Sequence, residues 1–342
     1  MKARSLINSK KFKITFYSIL FVFGFIFLAP NIYLSILLHN QIKPVVTISN
    51  EFPVTVFPES KLIVENDEVN KYLASPSSPL QASVFNVFDI FKKVFTLVVT
   101  TINETPWYQG LAFAGGNRLV NLSPGLRKEQ VANSFTNSLS WDSKNKKKFL
   151  TNSTSSTPIL NEGMYAPGEY VVTAGMTPEE VQNLINKKFT EDVLSHYGTT
   201  TAKTVPLSTA LTVASLIERE TINGENARLV SGIIWNRVFL NMNLQLDATL
   251  QYVKAKDTPQ AVWWPKVLPK DKNIKSPYNT YQHPGLPPGP IANPSVASIV
   301  AALNPIKTTC LFYFNDDRGG FHCTNTYEEH VLELKKIYGR GR

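Results

Sequence analysis

The segment Ser276–Pro294 holds six prolines and two glycines in nineteen residues, which excludes it from a helix interior or a central strand. Each proline fixes its own φ and restricts the residue before it, so the loop is stiff. A surface linker would be rich in Ser and Gly. This loop instead carries Tyr278, Asn279, Thr280, Tyr281 and His283. Flat rings mixed with donors and acceptors suit recognition of a polyhydroxylated ligand. These residues are therefore expected to face a ligand from the rim of a binding site, with a rigid turn of packed tyrosines as the alternative.

A second feature divides the chain. Ile14 to Leu38 carries no charge and consists mostly of Phe, Ile, Leu and Val. As a helix of about 25 residues it would be about 37 Å long, against a hydrocarbon core of about 30 Å. The run is long for a signal peptide and lacks a small-x-small cleavage site. The net charge is +9, and Lys2, Arg4, Lys10, Lys11 and Lys13 supply five of it before the run. Those residues place 1–13 in the cytoplasm and everything after His39 outside. The expectation is a single-pass inner (plasma) membrane protein whose body occupies the periplasm or cell-wall space. Phe85–Val99 is also apolar, but Asp89, Lys92 and Lys93 interrupt it, so it is read as an amphipathic helix rather than a second span. The lysines at 144 and 146–148 read as a solvated loop, and no arginine-rich stripe exists. Nucleic acid is not an expected partner.

In the exported body, 39–116 is uncertain, with β-prone pieces at Pro44–Ser49 and Pro53–Phe57. A helix is expected from Thr177, with Pro178 at its first position and Glu180 completing a capping box. Another spans Ser208–Thr221 with Ser208 as N-cap. On it Glu218 falls within about 20° of Leu211, on an otherwise apolar surface. A carboxylate there needs a partner or a purpose; the partner reading is a salt bridge to Arg228 or Arg237. Glu220 points to the opposite side, as a supporting residue. A helix from Asn226 buries Val230, Ile233, Ile234 and Val238, and a short helix spans 295–303. A hairpin and a C-terminal helix close the chain. Helices grouped before terminal strands indicate α+β.

Cys310 and Cys323 lie where disulfides persist. If Asp316-Asp317 is a two-residue turn, the two cysteines face one another and can bridge. Two structural thiols are the alternative. No second Cys/His pair at ligand spacing suggests a metal, and no cofactor is expected.

Several strings recur in a fixed order: Glu162–Val172, Ala214–Thr221, Gly232–Arg237 (ending in Asn236 and Arg237), Leu244–Asp247, the proline loop with Pro288 and Gly289, Ala301–Pro305 and Thr326–His330. Together they resemble the YceG-like family of endolytic murein transglycosylases. The resemblance implies a small LysM-like α/β subdomain, set at 117–200, ahead of a mixed helical and β-hairpin catalytic domain at 201–342. The family's usual Pro-Asp-Thr-Tyr appears here as Pro167–Tyr170, which weakens a glycan-binding role for that segment. The resemblance implies Glu218 as the catalytic residue, with Gln245, Asp247, Tyr278, Asn279, Thr280, Tyr281, Pro288 and Gly289 on the glycan and Glu220, Asn236 and Arg237 behind them. It also implies peptidoglycan glycan strands as substrate and work alongside the peptidoglycan-synthesis machinery. In that role Glu218 would need to carry a proton when it meets the glycosidic oxygen. It would then protonate the oxygen between N-acetylmuramic acid and N-acetylglucosamine and afterwards deprotonate the C6 hydroxyl that attacks C1. Two other functions fit the residues: a hydrolase using Asp247 as nucleophile or base, and a non-catalytic membrane scaffold that holds glycan.

Overall fold

The computed structural model describes residues 51–75, 117–151, 159–221, 226–255 and 262–339, with a few isolated positions elsewhere. The apolar run 14–38, the stretch 85–99 and Pro44–Ser49 lie wholly or largely outside the described residues. Among the described residues, no helix is long and apolar enough to cross a membrane.

Two hydrophobic cores organise the described chain, a mixed α+β arrangement. After the short antiparallel pair β1 (Val56–Phe57) and β2 (Leu62–Ile63) and helix α1 (Asp67–Ala74), the smaller core begins at β3 (Asn117–Leu122). It pairs antiparallel with β4 (Gly168–Thr173), Val120 opposite Tyr170 and Arg118 opposite Val172. With a period of two, Val120, Leu122, Tyr170 and Val172 share one face. Helix α2 (Lys128–Leu139) lays Val131, Ala132, Phe135 and Leu139 on it, a spacing that keeps one helical stripe apolar. The Phe135 ring stands 5.9 Å from Phe149 of α3 (Ser143–Leu150) and 5.8 Å from Tyr170. Val181 and Ile185 of α4 (Pro178–Asp192) close the layer. The start of α4 is as expected: Thr177 and Glu180 form the capping box, with Pro178 inside it. The lysine cluster differs from expectation. It is helical in α3, because Asp142 caps the turn by accepting from Asn145 N at 2.8 Å, and Lys148 pairs with Glu179.

The larger core surrounds α6 (Leu207–Glu220), which follows the short α5 (Thr199–Thr204). Every residue of α6 from Ala210 to Ile217 is buried, so it is enclosed on all sides rather than along one stripe. It packs on α9 (Val296–Leu303), α7 (Ala227–Phe239) and α8 (Asp247–Lys254). Trp235 of α7 donates its indole N–H to Ala302 O at 2.9 Å, which satisfies the polar end of a buried ring. The start of α6 corrects one expectation. Pro206, not Ser208, occupies the cap position, because the Pro206 carbonyl already accepts from Ala210 N.

The C-terminal part is β5 (Phe312–Asn315), β6 (Phe321–Thr324) and α10 (Tyr327–Tyr338), the last opened by a Thr326–Glu329 capping box. The Cys310–Cys323 disulfide is present, with Cα atoms 5.7 Å apart. The register that suggested it is wrong. Tyr313, not Cys310, stands opposite Cys323, and Asp316-Asp317 is no two-residue turn. The Asp316 carboxylate accepts from Arg318 N and Gly320 N, and Gly319 takes φ +82°. That stabilises a longer loop and shifts the pairing.

Candidate functional site

Helix α6 emerges from the core at its C-terminal turn, and there it carries Glu218, Arg219 and Glu220, all half-buried. Glu218 Oε2 accepts three hydrogen bonds: from Ser295 N at 2.9 Å, Ser295 Oγ at 2.7 Å and Ser298 Oγ at 2.8 Å. Ser295 is the N-cap of α9 and also accepts from Ser298 N at 3.2 Å. A carboxylate is thus fixed at the positive end of a helix by the capping group itself. Glu218 Oε1 accepts no hydrogen bond among the described residues and is not sealed from solvent. One oxygen is anchored and the other is free.

The salt-bridge alternative does not hold. Arg228 donates to Asn304 O and Asn70 Oδ1. Arg237 donates to Leu311 O and Leu244 O. With Asn236, whose amide donates to Thr308 O and Cys310 O, Arg237 clamps the segment entering the hairpin.

Glu220 faces that hairpin. Its Oε2 accepts the Tyr313 hydroxyl at 2.9 Å. Burial raises its pKa; the Tyr313 bond opposes this, the Asp247 charge adds to it, and Arg237 and Arg219 pull it down. Asp247, the exposed first residue of α8, accepts the Tyr281 hydroxyl at 2.6 Å. Burial first, and then that bond, push the Tyr281 phenol above its ordinary range. Glu220, Asp247, Tyr281, Tyr313 and Arg237 therefore form one coupled polar cluster beside Glu218. Tyr313 was not singled out from sequence, because its role depends on the hairpin register.

The proline loop divides into bracing and exposed positions. Asn279 and Thr280 are buried, and the expectation that they face a ligand fails. The Asn279 amide donates to Lys272 O and Ile274 O and its oxygen accepts from Tyr281 N. Thr280 Oγ1 accepts from Leu246 N and meets Thr249 Oγ1. Both consume their polar groups in holding a chain that proline has deprived of backbone donors. Tyr278, half-buried with its ring 5.0 Å from Tyr252, and Tyr281 remain accessible, as do Gly289 and the exposed Pro288 and Gln245. The far end of the loop is tied to α6, where Ser215 Oγ accepts from Ile291 N at 3.0 Å.

Asn293 joins the two cores. Its Oδ1 accepts from Gly163 N at 2.8 Å and Tyr165 N at 2.9 Å; its Nδ2 donates to Leu126 O at 2.9 Å and Glu162 Oε1 at 2.8 Å. Two residues further on lies Ser295. Burial pushes Glu162 up to about 8, and the nearby Glu129 adds to this against the Lys128 N–H and the Arg127 and Lys128 charges. Beyond Asn293 the loop 123–127 reaches Glu218: Gly125 N donates to Asn293 O, and a Cβ on Gly125 would stand 3.7 Å from Glu218 Cγ. Asn293, Ser295 and Ser298 were not picked out from sequence. The only signal was a serine between Asn293-Pro294 and an apolar helix, the pattern of an N-cap.

These features define a class: an α+β protein whose enclosed helix ends in one glutamate, anchored through a single oxygen, and is tied at Ser215 to a stiff aromatic loop. The model of the YceG-like family matches residues 98–336, and the chain belongs to that family. It is 30% identical over 170 residues to the endolytic murein transglycosylase of Streptococcus pneumoniae serotype 2 (strain D39 / NCTC 7466), covering 49% of this chain and 31% of that protein. It is 40% identical over 126 residues to the endolytic murein transglycosylase of Bacillus subtilis (strain 168), covering 37% and 33%. The chain thus spans about a third of the length of these curated relatives. A crystal structure of a yceG-like protein from Listeria monocytogenes matches with a TM-score of 0.56 and 24% identity, covering 67% of this chain and 78% of that one. That likeness supports the fold.

Proposed function

We propose that this chain is an endolytic peptidoglycan lytic transglycosylase, a lyase anchored by residues 14–38 with its body in the periplasm or cell-wall space. Residues 117–200 serve as the LysM-like subdomain and 201–342 as the catalytic domain. The observation that carries the reading is the asymmetric setting of Glu218, with Oε2 held by Ser295 and Ser298 and Oε1 open. A group that must give and take one proton needs one fixed oxygen and one reactive oxygen.

Glu218 gives its proton to the glycosidic oxygen between N-acetylmuramic acid and N-acetylglucosamine as the bond to C1 breaks. The oxocarbenium-like centre at C1 is then captured by the muramoyl C6 oxygen, whose hydroxyl proton returns to Glu218. The ring closes as a 1,6-anhydro sugar, no water is consumed, and Glu218 is ready for another turn. One carboxylate is sufficient because the nucleophile belongs to the substrate. Tyr278, Tyr281, Gln245, Asp247, Pro288 and Gly289 are the glycan-facing positions of this reading, with Glu220, Asn236 and Arg237 supporting them. The setting also suits work alongside the peptidoglycan-synthesis machinery.

Purified protein incubated with peptidoglycan, with product masses measured, tests the reading. Anhydro-ended products are expected, and Glu218→Gln should release none. Products heavier by one water would favour a hydrolase using Asp247. Strand binding without cleavage by the wild type would favour a scaffold.

A further inference from the structure

Beside Glu218 stands a cation whose hydrogen-bond donors are unused. Arg219 sits over Trp264, its guanidinium carbon 3.8 Å from the ring centroid. Among the described residues it makes no hydrogen bond or ion pair, and its Nε is buried without a partner. The side chain is half-buried; burial pulls its pKa down while the Glu218 and Glu220 charges push it up, so its charge is balanced from nearby but its lost hydrogen bonds to water are not replaced. Its place is fixed by Gly125, which has φ +79°: a Cβ there would stand 3.1 Å from Arg219 Nη1 and 3.7 Å from Glu218 Cγ. The absent side chain therefore lets the loop lie close against both groups, where a Cβ would press on the guanidinium.

The adjacent tryptophan provides a contrast. Trp263 also faces an arginine, Arg127 at 5.5 Å, which in addition stacks on Tyr252 at 4.3 Å. Arg127 is buried, donates to Tyr252 O at 3.1 Å and pairs with Glu129 at 3.5 Å. It is a structural arginine held by a carbonyl and a carboxylate, although its Nε, like that of Arg219, makes no hydrogen bond. Arg219 has the same aromatic seat and unused donors.

A stacked guanidinium keeps its in-plane edge for a planar acceptor with two oxygens. On the transglycosylase reading, on which this inference rests, the sugar rings of the strand are neutral. Its carboxylates sit on the lactyl ether of the muramoyl ring or on the peptide attached there. We propose that Arg219, seated on Trp264 and given room by Gly125, is a specificity-determining site that binds a carboxylate on the muramoyl substituent. It would thereby fix which sugar of the strand presents its C1 to Glu218.

The test uses the full chain in detergent and three strand preparations: intact stems, stems removed by an amidase to leave the lactyl carboxylate, and lactyl groups blocked as methylamides. Binding is measured in the Glu218→Gln background, where cleavage plays no part, and kcat/KM with Glu218 intact. Wild-type Arg219 should favour a carboxylate-bearing strand over the blocked one by about 30-fold, as for one charge-assisted pair. Preference for denuded strands assigns the lactyl group; preference for intact strands assigns the stem. Arg219→Gln should remove the preference while binding of the blocked strand stays within about twofold, and Trp264→Ala should reduce it by unseating the guanidinium. Arg219→Lys should recover only part, since an ammonium lacks the fork. Equal binding of all three strands by the Arg219 protein, or equal loss on all three in Arg219→Gln, would overturn the proposal. If binding follows the carboxylate but no anhydro product forms, the transglycosylase reading fails and the carboxylate site stands.

Discussion

Replacing Asn293 should loosen the joint between the two cores more than any single apolar truncation at the same place. The side chain is buried and makes four hydrogen bonds, two as acceptor from Gly163 N and Tyr165 N and two as donor to Leu126 O and Glu162. At about 0.5–1.5 kcal/mol net for each bond, Asn293→Ala should lose about 2–6 kcal/mol. That is a large part of the 5–15 kcal/mol typical of a domain. Asn293→Asp should also destabilise, since an oxygen would then meet the Leu126 carbonyl and Glu162. Denaturant titration gives the energies, and hydrogen exchange followed by mass spectrometry gives their location. Protection should fall first at 123–127 and 159–166. A loss below about 1 kcal/mol, or a loss of protection spread evenly over the chain, would refute the assignment of Asn293 as the joint.

Glu162 should make that joint pH-dependent. Its carboxyl is raised from 4.5 to about 8 in the fold, so the native state binds the extra proton. The stabilisation is complete below about pH 4.5 and is lost as pH rises to about 8; thermal melts of Glu162→Gln should lack that slope. Cys310→Ser should lower stability by about 3 kcal/mol, by the loop-entropy model for a short cross-linked loop, visible as a drop in denaturation midpoint. Tyr313→Phe removes the hydroxyl on Glu220 while keeping the ring stacked on Phe321. It should shift the pH profile of turnover while moving the melting temperature by less than a few degrees.

What was legible in the sequence followed local rules. The capping box at Thr177 sits where its spacing placed it, because a cap depends on residues three apart. Glu218 stood out as a carboxylate on the apolar surface of its helix, and the helix is enclosed as that pattern required. The hairpin register was misread because Asp316 accepts loop amides and Gly319 enters the left-handed region, which two adjacent aspartates do not announce. Asn279 and Thr280 illustrate a deeper ambiguity. A proline-rich loop lacks backbone donors, so its polar side chains either meet a ligand or replace the missing bonds, and both give the same sequence. Arg219 was overlooked because an arginine between two glutamates reads as a surface charge until the ring beneath it is known.

The enclosure of α6 limits how such a site can change. A helix gripped around its whole circumference from Ala210 to Ile217 cannot swivel or slide by a fraction of a turn without disturbing packing on every side. The bearing of Glu218 is therefore inherited from the interior, like the fixed jaw of a vice. The movable jaws are peripheral and come from separate stretches of chain: 123–127, the Trp263–Trp264 segment, the proline loop and the β5–β6 hairpin. On the proposed transglycosylase reading, substitutions there would reshape the grip on a strand one wall at a time while Glu218 keeps its aim.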